Sequence, residues 1–192
     1  MPLRFDHIKS RIRDHKPARM DPKAFRRKAA VAAVLVPDGA SARLLLIRRA
    51  EHPNDPWSGH MALPGGRFEP TDADLLATAV RESREELSLD LQNADLLGSL
   101  DDVEAVARGR RVGMMIRPYV FAVDRMPELQ PNYEVAEYLW PRIDPIFFGE
   151  SDTEFPWQYQ GALWKLPAWR VEGHTVWGLT HRMLSGFFEL LR

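Results

Sequence analysis

Cysteine is absent from the 192 residues, which excludes disulfides, thiolate metal sites and a cysteine nucleophile. No uninterrupted apolar run approaches the roughly 20 residues that a membrane-crossing helix requires. Charge is nearly balanced, with 26 Lys and Arg against 27 Asp and Glu and a net charge of −1. No global field therefore draws the chain to nucleic acid or to an anionic membrane. The opening MPLRFDHIKSRIRDHK lacks the apolar centre of a secretory signal, and the expectation is a cytoplasmic protein. There is no internal repeat, low-complexity tract, Ser-His-Asp set or Walker-type loop, and the six histidines show no metal-ligand spacing. The hydrophobic fraction of 45% and charged fraction of 28% are ordinary for a globular chain. The length suits one domain with a sizeable core.

The informative stretch runs from Leu63 to Leu89, LPGGRFEPTDADLLATAVRESREELSL. Pro64, Gly65 and Gly66 make a turn where backbone can approach a ligand without interference from a Cβ. Thr71, following Pro70, is the expected N-cap of a helix, with Asp74 as a weaker capping partner. At 3.6 residues per turn, Leu76, Ala79, Val80, Ser83 and Leu87 share one helix face. Glu82, Glu85 and Glu86 gather on another. Carboxylates crowded together repel, so a merely solvated helix gains nothing from this arrangement. A hard divalent cation such as Mg²⁺ resolves the conflict, because it takes carboxylate, water and phosphate oxygens. The bland alternative is a charged outer face pairing with Arg81 and Arg84. The Gly-Gly turn at fixed distance upstream favours a ligand site.

This stretch resembles the Nudix box, G-x5-E-x7-R-E-U-x-E-E-x-G-U with U aliphatic. Arg81, Glu82, Glu85 and Glu86 match its core, and Leu89 matches the final aliphatic. The spacing from Gly66 to Arg81 is one residue longer than the pattern, and Ala73, with Asp72 beside it, stands at the first Glu. Ser83 replaces the inner aliphatic and Ser88 the late glycine. The longer spacing, the preceding Arg49, Ala50, Gly59 and Pro64-Gly65-Gly66, and the later segment HTVWGLT are similar to the coenzyme A diphosphatase branch. In that branch's signature, Asn54 or Asp55 stands here where a second Arg is usual, and Leu63 replaces a Phe.

The resemblance implies an α/β protein of the Nudix fold, an α/β/α sandwich with a central mixed β-sheet. It implies a Mg²⁺- or Mn²⁺-dependent hydrolase cleaving a diphosphate in a nucleoside diphosphate-linked small molecule, such as coenzyme A or a derivative. Glu82, Glu85 and Glu86 are then metal ligands, helped by a backbone carbonyl of Gly65 or Gly66. Arg81 orients the glutamates by a bidentate contact, and Glu85 or Glu134 is the general base. ADP-ribose, nucleotide sugars and nucleoside triphosphates are the alternative substrates. A non-catalytic nucleotide sensor is the alternative from another class. Nucleic acid and membrane are not expected partners, and the state is monomer or homodimer.

The remaining chain reads as a frame for that stretch. Residues 1–28 carry ten Lys or Arg against Asp6, Asp14 and Asp21. Leu3, Phe5, Ile8 and Ile12 recur at helical spacing, so Pro2 to about His15 is expected to form an amphipathic helix in a basic extension. Residues 29–192 are expected to form the main domain. Ala29–Val36 is a buried strand, and after the Pro37-Asp38-Gly39 turn Ala42–Arg48 returns as its hairpin partner. Arg48 and Arg49 either hold a diphosphate by charge-assisted hydrogen bonds, with Gly65 presenting backbone beside them, or are strand-end surface charges. After the stretch come a strand-like LLGSLDDV, a basic loop Arg108-Gly109-Arg110-Arg111, and a strand over Gly113–Val123 in which Pro118 suggests a bulge or edge. Val135–Trp140 is a further strand, and Ile143–Phe148 a short helix. Glu150–His174, rich in Trp and Pro, is expected as an irregular lid or wall, and Val176–Leu191 as a helix covering the sheet.

Overall fold

The computed structural model describes residues 3–53, 55, 57–107 and 109–192. Pro2, Asn54 and Arg108, which the sequence expectations touch, lie outside the described residues. The fold is built on β1 (Arg27–Asp38), whose run AAVAAVLV is apolar throughout because both faces of the strand are covered. Strand alternation sends Ala29, Val31, Ala33 and Leu35 into one core and Ala30, Ala32, Val34 and Val36 into another. On the first side lie α1 (Phe5–Asp14), through Ile8 and Ile12, and α4 (Gly178–Leu190), through Met183, Leu184 and Phe187. On the second lies α2 (Leu75–Leu87), through Leu75, Ala79 and Leu87. The result is an α/β/α sandwich.

The central sheet is mixed and six-stranded. Parallel to β1 runs β8 (Arg110–Ala122), while β2 (Ser41–Leu44) and β5 (Gly65–Arg67) pair with β1 antiparallel. Beyond β8 lie β6 (Asp95–Ser99) and β7 (Val103–Ala107), both antiparallel to it. Two three-stranded sheets flank this one. The first joins β3 (Leu46–Arg49), β4 (Met61–Ala62) and β9 (Val135–Leu139); the second joins β10 (Asp152–Tyr159), β11 (Ala162–Val171) and β12 (His174–Trp177). A short helix, α3, spans Asp144–Phe147.

Several expectations are corrected. The returning strand Ala42–Arg48 is two strands, β2 and β3, which break at Leu45 and belong to different sheets. Both parts are buried, so an apolar run alone does not reveal the change of sheet. Pro118 lies inside the sheet, paired with Val31, and not at an edge. It is tolerated because β8 changes partner there from β6 to β7, and its carbonyl still accepts the Leu100 N–H. Glu150–His174 is a regular hairpin instead of an irregular lid. Its turns Gln160-Gly161 and Glu172-Gly173 all have positive φ, the form that matches strand twist in tight hairpins. The basic N-terminal segment is docked by two of its arginines, Arg13 on Asp95 and Arg19 on Asp102, and by a hydrogen bond between His15 and Asp101. Among the described residues, no helix is long and apolar enough to cross a membrane.

Candidate functional site

The glutamate-bearing helix begins later than Thr71. Asp74 is its N-cap, accepting from the Ala77 N–H at 2.8 Å, and Thr71 makes no cap. The residues before it are drawn into a loop around Asp72, which absorbs the extra residue between Gly66 and Arg81. At the other end, Ser88 adopts the left-handed conformation with φ 55°, its N–H bonding Arg84 O while the Leu89 N–H bonds Ser83 O. A glycine in that place is explained by this φ; a serine meets it under strain. Ser83 is fully buried and satisfies its hydroxyl on Ala79 O at 2.8 Å.

The helix lays its glutamates against β5. Gly65 has φ 149°, and a Cβ there would overlap Ala30 O and Val31. A Cβ on Gly66 would overlap the Glu82 carboxylate. Gly65 is therefore required by backbone close approach, while at Gly66 a Cβ would displace the Glu82 carboxylate from its place. Glu86 is 2% exposed and accepts the Gly65 N–H at 2.8 Å. The loop carrying Glu134 is pinned to the end of the same helix, because the Gln130 and Asn132 N–H groups bond Leu87 O and Glu86 O at 2.9 and 2.8 Å.

Arg81 organises this group, with a different division of labour from the one expected. Its bidentate partner is Asp72, Nε to Oδ1 at 2.8 Å and Nη2 to Oδ2 at 3.0 Å. The remaining Nη1 reaches Glu82 at 2.9 Å and Glu85 at 3.0 Å with single bonds, and Nη2 also donates to Arg67 O. Asp72 is completed by the Glu69 N–H and the Thr78 hydroxyl. Sequence reasoning gave Asp72 no role. Its position beside Ala73, where the box has an acid, is the signal that could have found it.

Around this group lies a cleft of about 740 Å³. Arg49, Gly65, Gly66, Arg81, Glu82, Glu85 and Glu134 all line it. Arg48 does not join them: its Nε bonds Glu137 at 3.2 Å. The pairing of β3 with β9 shifts register between Arg48 and Arg49, and only Arg49 reaches the cleft. Arg49 is itself gripped by Asp55, Nε and Nη2 both bonding Oδ2 at 3.0 and 2.7 Å. The opposite wall is aromatic and apolar. Trp57, His60 and Trp177 line it, with His60 4.7 Å from the Trp177 ring and Phe155 stacked on Trp177 at 3.8 Å.

Burial makes the charged form of two of these glutamates costly. Burial pushes the Glu86 carboxyl up to about 8, with the Glu82 charge adding to the effect and the Gly65 N–H opposing it. Burial also raises Glu82, against the pull of Arg81. The Arg81 guanidinium holds Asp72 far below the usual carboxylate range. Among the described residues no three acidic or histidine side chains stand as a finished metal cage. Glu82 and Glu85 are instead turned to Arg81, the cation at hand. The donors fit a hard divalent ion: all are oxygens, one is a buried carboxylate with a single N–H partner, and glycine leaves space at Gly66.

Comparison with known proteins places this geometry. A NUDIX domain family model matches residues 26–172. A protein of Salmonella dublin called Nudix hydrolase NudL is 33% identical over 184 residues, covering 95% of this chain and 92% of that one. A protein of Schizosaccharomyces pombe is 31% identical over 155 residues, covering 70% of this chain, which spans only 47% of that longer relative. Among solved structures, the NUDIX domain of Shewanella oneidensis NrtR in complex with ADP ribose superposes with a TM-score of 0.51 at 22% identity, covering 67% of this chain and 82% of that one. With its Arg81 and glutamate cluster set against the Gly-Gly strand, and with a relative matched almost end to end, the chain belongs to the Nudix hydrolase family.

Proposed function

We propose that this protein is a divalent-metal-dependent diphosphatase that cleaves a nucleoside diphosphate-linked small molecule, coenzyme A or a derivative being the first candidate. One observation carries the reading. Glu82 lies against Gly66 and Glu86 accepts the Gly65 N–H, while Glu85 joins Glu82 on Arg81, and burial raises both Glu82 and Glu86. Glu82, Glu85 and Glu86 would hold Mg²⁺ or Mn²⁺, with the Gly66 carbonyl beside them. When bound, the ion supplies charge neutralisation at the phosphates and a more acidic water. Arg81 is a positioning residue: braced by Asp72, it fixes Glu82 and Glu85. Gly65 and Gly66 let the backbone stand next to the diphosphate, and Arg49 is the arginine on hand to bind it. Arg48, paired with Glu137, supports the strand.

Glu85 and Glu134 both line the cleft, and either is placed to take the proton of the attacking water. The two are told apart by Glu85→Gln and Glu134→Gln. Compared at saturating metal, because Glu85 is also a proposed ligand, the substitution that abolishes the acidic limb of the pH dependence of kcat marks the base. Residues 29–192 are proposed as the hydrolase unit, with 1–28 as an extension docked on it, and the cytoplasm as its compartment.

The test is product release from coenzyme A, ADP-ribose, nucleotide sugars and nucleoside triphosphates with Mg²⁺ or Mn²⁺, repeated for Glu86→Gln. Turnover that collapses in the variant supports the reading. Turnover of ADP-ribose alone keeps the chemistry and discards coenzyme A. Silence across the panel with metal still bound favours a nucleotide sensor.

A further inference from the structure

The guanidinium groups of Arg49, Arg67 and Arg81 line the cleft, and they are not equally occupied. Arg81 has every nitrogen engaged, on Asp72, Glu82, Glu85 and the Arg67 carbonyl. Arg49 has Nε and Nη2 on Asp55. The Arg67 guanidinium forms no hydrogen bond or ion pair among the described residues, although Glu69 lines the same cleft. Its backbone is nevertheless fixed, because its carbonyl accepts Arg81 Nη2 at 2.9 Å. The register of β5 decides where the side chain goes. Residues directly opposite in an antiparallel pair share a face. Arg67 stands opposite Ala29, on the face that packs toward α1 and α4. Gly66 stands opposite Ala30, on the α2 face, and the Glu82 carboxylate fills the place of its missing Cβ. β5 therefore divides two unlike halves. On one side are the glutamates of α2; on the other is an apolar floor of Ala29, Val31, Met114 and Ile116. Arg67 is the charge that β5 sets on the floor side, and the two glycines between it and Leu63-Pro64 raise no side chain in the way. A planar fork of donors with no internal partner is suited to phosphate oxygens.

We propose that Arg67 is a substrate-binding residue: its guanidinium takes the diphosphate oxygens turned away from Glu82, Glu85 and Glu86, and so seats the substrate across the two glycines with an uncharged part over the apolar floor. This rests on the diphosphatase reading of the same cleft and adds to it the direction in which the substrate lies. A divalent ion on the glutamates leaves the assignment intact, because the Arg67 guanidinium has no carboxylate to be released from. Arg49, partly held by Asp55, remains a second contact.

The experiment compares ADP with adenosine, which differ by the diphosphate, as ligands of the wild type, Arg67→Met and Arg67→Lys, by calorimetry at fixed Mg²⁺. Since the guanidinium bonds nothing in the fold, both variants are expected to melt with the wild type. Arg67→Met is expected to weaken ADP by roughly tenfold, the effect of one charge-assisted contact, and to leave adenosine unchanged. Its ADP affinity should also depend less on salt. Arg67→Lys keeps the charge without the fork and should fall between the two. With whichever substrate the wild type cleaves, Arg67→Met should raise KM by a similar factor and hold kcat within about twofold, as expected for a contact made equally in the ground and transition states. ADP affinity that is unchanged in Arg67→Met, or a loss shared equally by adenosine, overturns the proposal. If no substrate is cleaved yet ADP binding depends on Arg67, the catalytic reading fails and the phosphate contact stands. Turnover at unaltered KM in Arg67→Met removes the contact while leaving catalysis untouched.

Discussion

Two buried aspartates are held by almost the same device and serve different ends. Asp102 receives Arg117 through Nε and Nη2 at 2.7 and 2.8 Å, as Asp72 receives Arg81. Asp102 also takes Arg19 and the Met20 N–H. Arg19 in turn binds Leu100 O and the Ser99 hydroxyl. The contacts of Arg19 and Met20 tie the N-terminal segment to the sheet. Around Arg81 the guanidinium has one nitrogen beyond its aspartate, and that nitrogen carries Glu82 and Glu85. The Arg81 pair thus becomes part of the site because the arginine's spare donor faces two carboxylates.

Removing either aspartate should be costly and about equally so. The Asp72 and Asp102 side chains are 4% and 0% exposed. Asp72→Ala and Asp102→Ala are each expected to lower stability by roughly 1–3 kcal/mol, because partly buried donors lose a charged acceptor, although Arg81 keeps Glu82 and Glu85. Urea titration checks this. The gentler Asp72→Asn and Asp102→Asn separate the roles. Asp72→Asn is expected to weaken metal affinity or turnover by roughly 10–100-fold, the usual effect of disturbing the groups behind metal ligands. Asp102→Asn should leave both unchanged in the folded protein.

Acid should act on the two pairs alike. Both aspartates are held below their ordinary value of 3.8, Asp72 chiefly by Arg81, Asp102 by Arg117 and the Met20 N–H against its burial. A depressed folded-state value adds stability that is present above the unfolded value and is lost as pH falls. Thermal stability of the wild type is therefore expected to drop below about pH 4, and each Asn variant should show a shallower slope there. The smallest effect concerns the end of α2. Ser88→Gly relieves the left-handed strain and is expected to raise stability by about 0.5–1 kcal/mol, with activity unaltered.

Much of this contrast was legible before any coordinates. Ala29–Val36 announced a strand covered on both faces, and the spacing of Glu82, Glu85 and Glu86 put them together on one helix. What was hidden depends on tertiary placement. Asp72 looked like one acid in an acidic loop until Arg81, nine residues on, closed on it. Arg48 and Arg49 were indistinguishable until the register shift in β3 left Arg49 in the cleft and Arg48 on Glu137. The hairpin over 152–171 was masked by its Trp and Pro content, although Thr153, Phe155, Trp157 and Tyr159 alternate with more exposed residues, and Gln160-Gly161 marks the turn. Its prolines fit because Pro156 lies on the edge strand β10 and Pro167 lies on β11 before the residues that pair with β12.

The most direct measurement is a Mn²⁺ binding titration on the wild type, Glu86→Gln, Asp72→Asn and Asp102→Asn. Binding that is strongly weakened in Glu86→Gln, weakened in Asp72→Asn and intact in Asp102→Asn is the expected result, because the first removes a buried ligand and the second loosens the arginine behind two others. Binding that is unchanged in Glu86→Gln would contradict the assignment of the glutamate cluster as the metal site, and with it the diphosphatase chemistry proposed for the cleft.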